Sequence, residues 1–441
     1  MKSLIAYSIL LLFFQPVVAQ QAWTLQQCLE TGMKNTPDFQ LRQLDILSAE
    51  TTHRSPIMEY LPQVSVNGQH SYSIGSTIDP ATNTRVSSNI QSDNFSLSAG
   101  MDLINFNVFT VARRNKIAVL KAKADKEATA AEYSLSILEN FYNIIYTQDL
   151  LKIQLTQFEN AKFNLARIEK EVEIGSRPKS DLYDMQVSYA QEDNAITTTT
   201  QLLYNQKLTL LQLVNVTDTT PDGIVLQHTL PTQFAGANFA TLLENGYKNY
   251  PKIQSAQLAA EVARKEVTMK KNNNLPVLSA FYTYSSFYYL PLNQPGAPNV
   301  APFFTQLDNN KNHYIGAQLS IPVFNGLRNH RDVQLARLEY DKRNIETEQE
   351  KIKLRQTIEQ ETAKHEQNLL LATKLEDTRA FAQKSFETTQ SKFRSGIIEA
   401  ITFSASKNQL LTAEYNLLKA KVTTEYTALK LQFLAFNTFT D

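Results

Sequence analysis

Asp181 and Asp184 lie three residues apart. They stand at the expected start of a helix, so the spacing places both on one helix face, with Arg177 and Lys179 close by. Carboxylates gathered at a narrow aperture attract cations and set ion selectivity. Acids in a first helical turn are also favoured by the helix dipole alone. Neither reading involves bond-making chemistry. The six histidines are scattered without HExxH spacing, and no GxGxxG or phosphate-binding GxxxxGKS/T occurs. The single cysteine, Cys28, excludes an intrachain disulfide framework and any cysteine-rich metal site. His365 beside Glu366 reads as a solvated helix face. We therefore read no catalytic, cofactor-binding or metal-binding site, and no enzyme.

The elements that would position the two acids begin with the N-terminus. Lys2 precedes an apolar run from Leu4 to Phe14, and Val17-Val18-Ala19 supplies a small-residue cleavage site, the pattern of a signal peptide over 1–19. That run is too short to span a membrane, and nothing after Ala19 is continuously apolar over a spanning length. Net charge is zero, which gives no reason to expect nucleic acid as a partner. Prolines are absent between Pro80 and Pro178 and after Pro322, leaving room for long helices.

The chain is written twice. "CLETGMKNTPDFQLRQL" at 28–44 matches "LLENGYKNYPKIQSAQL" at 242–258 with a constant offset of 214, and the same offset carries Leu61-Pro62 onto Leu275-Pro276. This is a duplicated half-protein rather than a short solenoid repeat. We expect a first repeat over 20–214, a linker over 215–238 and a second repeat over 239–441.

Each repeat contains a pair of two-faced strands. In "LPQVSVNGQHSYSI" (61–74), Val64 and Val66 share a parity with Tyr72 and Ile74, opposite Ser65, Asn67, Gln69 and Ser71. The return strand "NFSLSAGMDL" sets Leu97 and Met101 against Ser96, Ser98 and Asp102. The second repeat echoes this with Leu278 and Tyr282, then Ile315 and Leu319. Strands of about ten residues joined by long polar loops, near 75–93 and 290–312, suit an outer-membrane barrel. Four strands cannot close alone, because both edges would leave unpaired backbone groups in hydrocarbon. The barrel must be shared between two, three or four chains. The alternative, a soluble sheet, would need a covering element with a matching apolar face.

The remainder reads as helix. Between about 111 and 172, Ile137, Ile144, Leu151, Phe158, Leu165 and Val172 recur every seven residues, the period of supercoiled packing. Some 60 helical residues span about 90 Å. The second repeat matches from about 328 to 394, with Leu338, Ile345 and Ile352 in step. Both long helices end at a similar turn, "EIGSRPKSD" with Gly175 and "FRSGIIEAIT" with Gly396, before a shorter helix of about 35 residues. The segments 24–59 and 239–271 read as further helices of that length.

With these features in hand, the sequence resembles the TolC-like outer-membrane efflux proteins. The residues that carry the likeness are "WTLQQCLETGMKNTP" and its echo at 239–251, "LPQVSV" and "LPVLSA" entering strands, "IPVFNG" at 321–326 leaving the last strand, and "EIGSRPKSDL" with "KFRSGIIEA" at the hairpin tips. The resemblance implies a mainly α protein with membrane β. Duplicated helical hairpins form a periplasmic α-barrel tunnel, and four strands per chain contribute to a trimeric 12-stranded outer-membrane β-barrel. It also implies a homotrimer in the outer membrane of a Gram-negative bacterium, docked to a periplasmic adaptor (membrane fusion) protein and an inner-membrane transporter. The passive exit duct so formed belongs to a tripartite efflux or type I secretion system.

In that frame the apolar parity (Val64, Val66, Leu97, Met101, Leu278, Tyr282, Ile315, Leu319) faces outer-membrane lipid and the polar parity a water-filled pore. Gly175, Arg177, Lys179, Asp181, Asp184, Gly396 and Glu399 are the candidates at the periplasmic tip. Arg177 and Lys179 are placed to pair with neighbouring chains and hold the aperture shut. Two departures stand out. Cys28 lies inside the first helix, away from a lipidation position, and the stretch after Gly396 offers only Glu399 where relatives carry several acids. Sparse Met, Cys and His argue against a dedicated soft-metal pathway. A secreted helical coiled-coil scaffold or adhesin with a small sheet is the competing reading.

Overall fold

The computed structural model describes residues 21–53, 58, 60–78, 83–87, 89–227, 238–292 and 300–439. The signal peptide expected at 1–19 lies outside the described residues, as do 228–237 of the linker and parts of both polar loops. After β1 (Gln21–Trp23) come α1 (Leu25–Asn35), α2 (Pro37–Thr52), β2 (Gln63–Ser73), the short strands β3 (Ser76–Ile78) and β4 (Arg85–Ser87), β5 (Asn89–Ile104), α3 (Phe106–Glu173) and α4 (Lys179–Leu213). A 3-10 turn (Pro221–Gly223) and β6 (Ile224–Leu226) follow. The order then recurs as α5 (Phe239–Asn249), α6 (Pro251–Asn272), β7 (Val277–Leu292), the short α7 (Phe303–Asn309), β8 (Asn312–Ser320), α8 (Arg328–Arg394) and α9 (Ala400–Phe436).

The single helices expected at 24–59 and 239–271 are each broken once, at Thr36 and Tyr250, which are extended. Each precedes a proline, and the ring of a proline disfavours helical geometry in the residue before it. The sequence repeat also carries its packing logic. Gly32 and Gly246 occupy equivalent positions, and neither has space for a side chain. A Cβ on Gly32 would lie 2.8 Å from the Tyr133 ring, and one on Gly246 would lie 3.2 Å from both Leu354 and the Leu434 carbonyl. Thr24 starts α1 with a capping box to Gln27, and Asn238 caps α5 through the Ala240 amide.

The chain divides into two compact units. One comprises the described parts of Met1–Asp45, Ala122–Ser255 and Thr347–Asp441. Its largest core gathers Leu25 and Cys28 of α1, Ile137, Phe141 and Ile144 of α3, Leu210 and Leu211 of α4, and Ile224 of β6. The segment between the expected repeats contributes β6, which pairs in parallel with β1. Gln148 clamps it by accepting from the Leu226 amide at 3.2 Å and donating to the Leu226 carbonyl at 3.1 Å. A second core, Ile168, Met185, Phe386, Phe393 and Phe403, lies near the hairpin turns.

The other unit, Ile46–Lys121 with Ala256–Glu346, holds an antiparallel sheet in the order β2-β5-β7-β8. A bulge at Asp102/Ile104 ends β5. Polar side chains tie the helix ends beneath the sheet. Asn107 donates to Asn273 at 2.7 Å, Asn272 to Thr110 at 2.9 Å and Asn329 to Asn274 at 2.9 Å, while Arg114 meets Glu266 at 2.7 Å.

The seven-residue seam behaves differently in the two long helices. In α3, Ile137 and Ile144 are fully buried and Leu151, Phe158, Leu165 and Val172 partly so. In α8, Leu338, Ile345 and Ile352 are exposed. Their period is the same, but none of the described residues buries the second stripe. None of the described helices is long and apolar enough to cross a membrane.

Candidate functional site

The sheet sorts its side chains into two faces with a register that can be read across all four strands. One face carries the rows Val64–Ala99–Tyr282–Ile315, Val66–Leu97–Tyr284–His313 and Met101–Ala280–Ala317, with Leu278 beside Leu319. The other carries Ser65–Ser98–Thr283–Tyr314 and Asn67–Ser96–Ser285–Asn312. All eight residues expected on the apolar parity thus lie together. The polar face also carries Val277, Phe281, Phe287 and Tyr289 of β7. The Phe281 ring occupies the space left by Gly316, where a Cβ would come within 2.6 Å, and lies tilted with its centroid 5.2 Å from that of Tyr314.

No described helix covers either side of β2, whose residues are exposed except for the half-buried Ser71. Val66 is 77% exposed and Ile315 79%. The strands extend further than expected, β5 and β7 each running 16 residues. Beyond the end of β8, side chains of α7 and its C-terminal flank occupy the β7 edge. Gln306 accepts from the Tyr289 amide at 3.1 Å and donates to its carbonyl at 3.0 Å, and Asn310 donates to the Phe287 carbonyl at 2.8 Å.

The hairpin turns are built alike. Gly175 and Gly396 adopt positive φ of 74° and 75°. In the first, the Ser176 and Gly175 amides reach back to the Glu171 and Val172 carbonyls; in the second, those of Ile397 and Gly396 reach Lys392 and Phe393. Both are Schellman endings, which require the left-handed conformation that glycine adopts without strain.

Between the turns lies a side chain whose importance the sequence understated. Arg177, its side chain only 7% exposed, donates to Asp181 at 2.9 Å and to the Ile398 carbonyl at 3.0 Å. It also donates to the Phe393 carbonyl, pairs with Glu171 at 3.2 Å and lies 4.7 Å above the Phe393 ring. Asp181, 3% exposed at its side chain, uses its second oxygen to accept from the Ala400 amide at 3.2 Å, capping the start of α9. The expected open pair of acids therefore does not form. Asp181 is taken up inside the chain, and Asp184 is half-buried one turn on. Arg177 likewise finds partners within its own chain. Lys179 and Glu399 are exposed, and Glu399 precedes α9 without a side-chain cap bond.

A second link was missed altogether. Lys407 of α9 is buried, with Nζ 3.0 Å from Ser188 Oγ and in contact with Glu192 of α4. Its signal was a lysine on the same stripe as Phe403 and Leu411, facing Ser188 and Glu192 at i, i+4.

Residues 242–435 match the sequence profile of the family described as outer membrane efflux protein. That stretch is similar to an outer membrane efflux protein domain. This domain begins within α5 and ends within α9, so it takes in β7, β8 and the whole second hairpin. No curated protein sequence matches significantly. Solved structures share the fold over nearly the whole chain. The outer membrane protein VceC from Vibrio cholerae is 15% identical, covers 94% of this chain and 97% of its own, and superposes with a TM-score of 0.78. The CmeC outer membrane channel of Campylobacter jejuni is 15% identical over 93% and 86%, TM-score 0.75. The open state of the MtrE outer membrane channel of Neisseria gonorrhoeae is 13% identical over 93% and 88%, TM-score 0.72. The efflux-protein fold thus extends through the first repeat, outside the profile match.

Proposed function

We propose that the protein is the outer-membrane exit duct of a tripartite export system, passively conducting substrates to the exterior. The observation that carries this is the four-stranded sheet. Among the described residues one face is apolar and uncovered, the other is polar, and neither edge has a partner strand, in a chain with the fold of outer-membrane channels. Hydrocarbon satisfies the apolar face, a water-filled pore the polar face, and strands of other copies the edges.

Three copies would supply twelve strands, and the exposed stripe of Leu338, Ile345 and Ile352 offers a surface for the helices of a neighbour. The hairpins then form the periplasmic tunnel, with a periplasmic adaptor and an inner-membrane transporter as partners. At its inner mouth Asp184 and Glu399 remain as carboxylates available to the aperture, since Asp181 is committed to Arg177. A secreted scaffold or adhesin is disfavoured, because its sheet would need cover on the apolar face.

Single-channel recording in planar bilayers tests the reading. Purified protein should insert as a conducting trimer, and Asp184→Asn with Glu399→Gln should lower cation selectivity at low salt, where screening is weakest. Protein released from membranes by alkaline carbonate, with no conductance, would overturn the exit-duct reading. Unchanged selectivity would overturn only the assignment of the two acids.

A further inference from the structure

Among the described residues, the outer sides of β2 and β8 have no partner strand. Resting on the reading of a barrel shared between copies, we propose that β8 of one copy pairs antiparallel with β2 of the next in a single register, Ser320 opposite Gln63 and His313 opposite His70.

Length and face restrict the choices. β8 has nine residues and β2 eleven, so full pairing of β8 allows only Gln63, Val64 or Ser65 opposite Ser320. A slip of one residue would set Ile315 and Leu319 on the same side as Ser65 and Asn67 and mix the lipid and pore faces. Gln63 and Ser65 remain.

Packing separates these two. With Gln63 opposite Ser320, Ile315 falls opposite Gly68, Ala317 opposite Val66 and Leu319 opposite Val64. Gly68 leaves a notch beside the Phe95 ring, where a Cβ would sit 3.4 Å from Phe95 Cδ1, and the exposed Ile315 fills it. With Ser65 opposite Ser320, Ala317 meets Gly68 and the notch stays empty. Ile315 is then set against His70, whose imidazole already contacts Asp93. The proposed register also brings Gln63 and Ser320 level at the inner rim and places the two-residue overhang, Tyr72 and Ser73, at the outer rim.

The stagger permits both. A path across the sheet runs Gln63, Gly100, Phe281, Gly316 and then Asn67 of the next copy, four residues on. At about 3.3 Å per residue and about 4.8 Å between strands, four residues over four strands tilt them by about 35°. The alternative, six residues, gives about 46°, so the two registers stand at opposite edges of the usual span of roughly 35–45° and packing decides between them.

Cysteine cross-linking reads the register directly. Opposite residues in an antiparallel pair have Cα atoms about 4.5 or 5.5 Å apart, within the roughly 4.4–6.8 Å that a disulfide spans. Diagonal neighbours lie at about 7–8 Å. The one native cysteine is fully buried and leaves the background clean. Oxidised His70→Cys/His313→Cys and Val66→Cys/Ala317→Cys should each run as covalent trimers on non-reducing gels, while His70→Cys/Ile315→Cys stays monomeric. Trimers from the last variant alone, or none from any variant although light scattering in detergent gives three copies, would overturn the register and leave the shared barrel standing. A folded monomer in detergent would overturn the shared barrel itself.

Discussion

Replacing Arg177 by leucine should loosen the second hairpin turn without unfolding the rest of the chain. The substitution leaves the Asp181 carboxylate buried with only the Ala400 amide as partner, strips donors from the Ile398 and Phe393 carbonyls, and removes the cation above the Phe393 ring. Breaking one side of a buried ion pair costs about 3–5 kcal/mol, because a charge is left uncompensated in a poor solvent. The lost carbonyl hydrogen bonds belong to the same network and do not add in full. At about 1.4 kcal/mol per factor of ten, the local opening equilibrium rises roughly 10²- to 4 × 10³-fold. Native-state hydrogen exchange should report that acceleration at the amides of Gly396, Ile397 and Ala400, with those around Leu210 and Ile224 unchanged. Asp181→Asn should cost less, about 1.5–3 kcal/mol, the range for a hydrogen bond to a charged group. Arg177 keeps Glu171 and the carbonyls in that variant. The exposed Lys179→Leu should move exchange by less than about 0.5 kcal/mol equivalent. If Arg177→Leu accelerates the turn amides less than tenfold, or accelerates all regions equally, the buried clasp is not what holds the two turns together.

On the sheet, arginine at Leu97 or Leu319 should cost about 2–4 kcal/mol near the bilayer midplane, whereas arginine at Ser98 or Gln318 should be tolerated; folded yield in vesicles would expose equal damage on both faces. The Cys28 thiol, which burial pushes up to about 12, should resist alkylation in the native protein at neutral pH and react at once after denaturation, as mass spectrometry would record. The hydrogen bond from Lys252 to Glu132 raises the lysine above its usual value of 10.5, against the opposing effect of burial. The folded state holds this proton more tightly than the unfolded chain, so the associated stability is complete below about pH 10.5 and fades as pH climbs through the raised folded value. Thermal midpoints measured across alkaline pH should fall more steeply in the native protein than in Lys252→Met.

Much of this protein was determined by local sequence alone. The alternation around Val66 and Leu97, the duplicated Gly32 and Gly246, the glycine turns at 175 and 396 and the proline-free helical stretches all express short-range rules. These rules act through the period of a strand, the left-handed backbone of glycine and the missing amide of proline. They suffice for element type and for which side of a strand is apolar. Partnership is another matter, because it depends on residues far apart in the chain. The seven-residue stripes of α3 and α8 have the same period, yet Ile137 is buried and Leu338 exposed, since only the three-dimensional path decides which stripe meets a helix. Asp181 and Asp184 sit three apart in sequence, but Asp181 faces the Ala400 amide and Arg177, so one of two apparently equal acids disappears into the structure. The parallel pairing of β1 with β6 and the burial of Lys407 against Ser188 and Glu192 likewise join residues brought together only by folding. A backbone period can be read from neighbours in the chain, whereas a buried charge is settled by whichever partner the fold delivers to it.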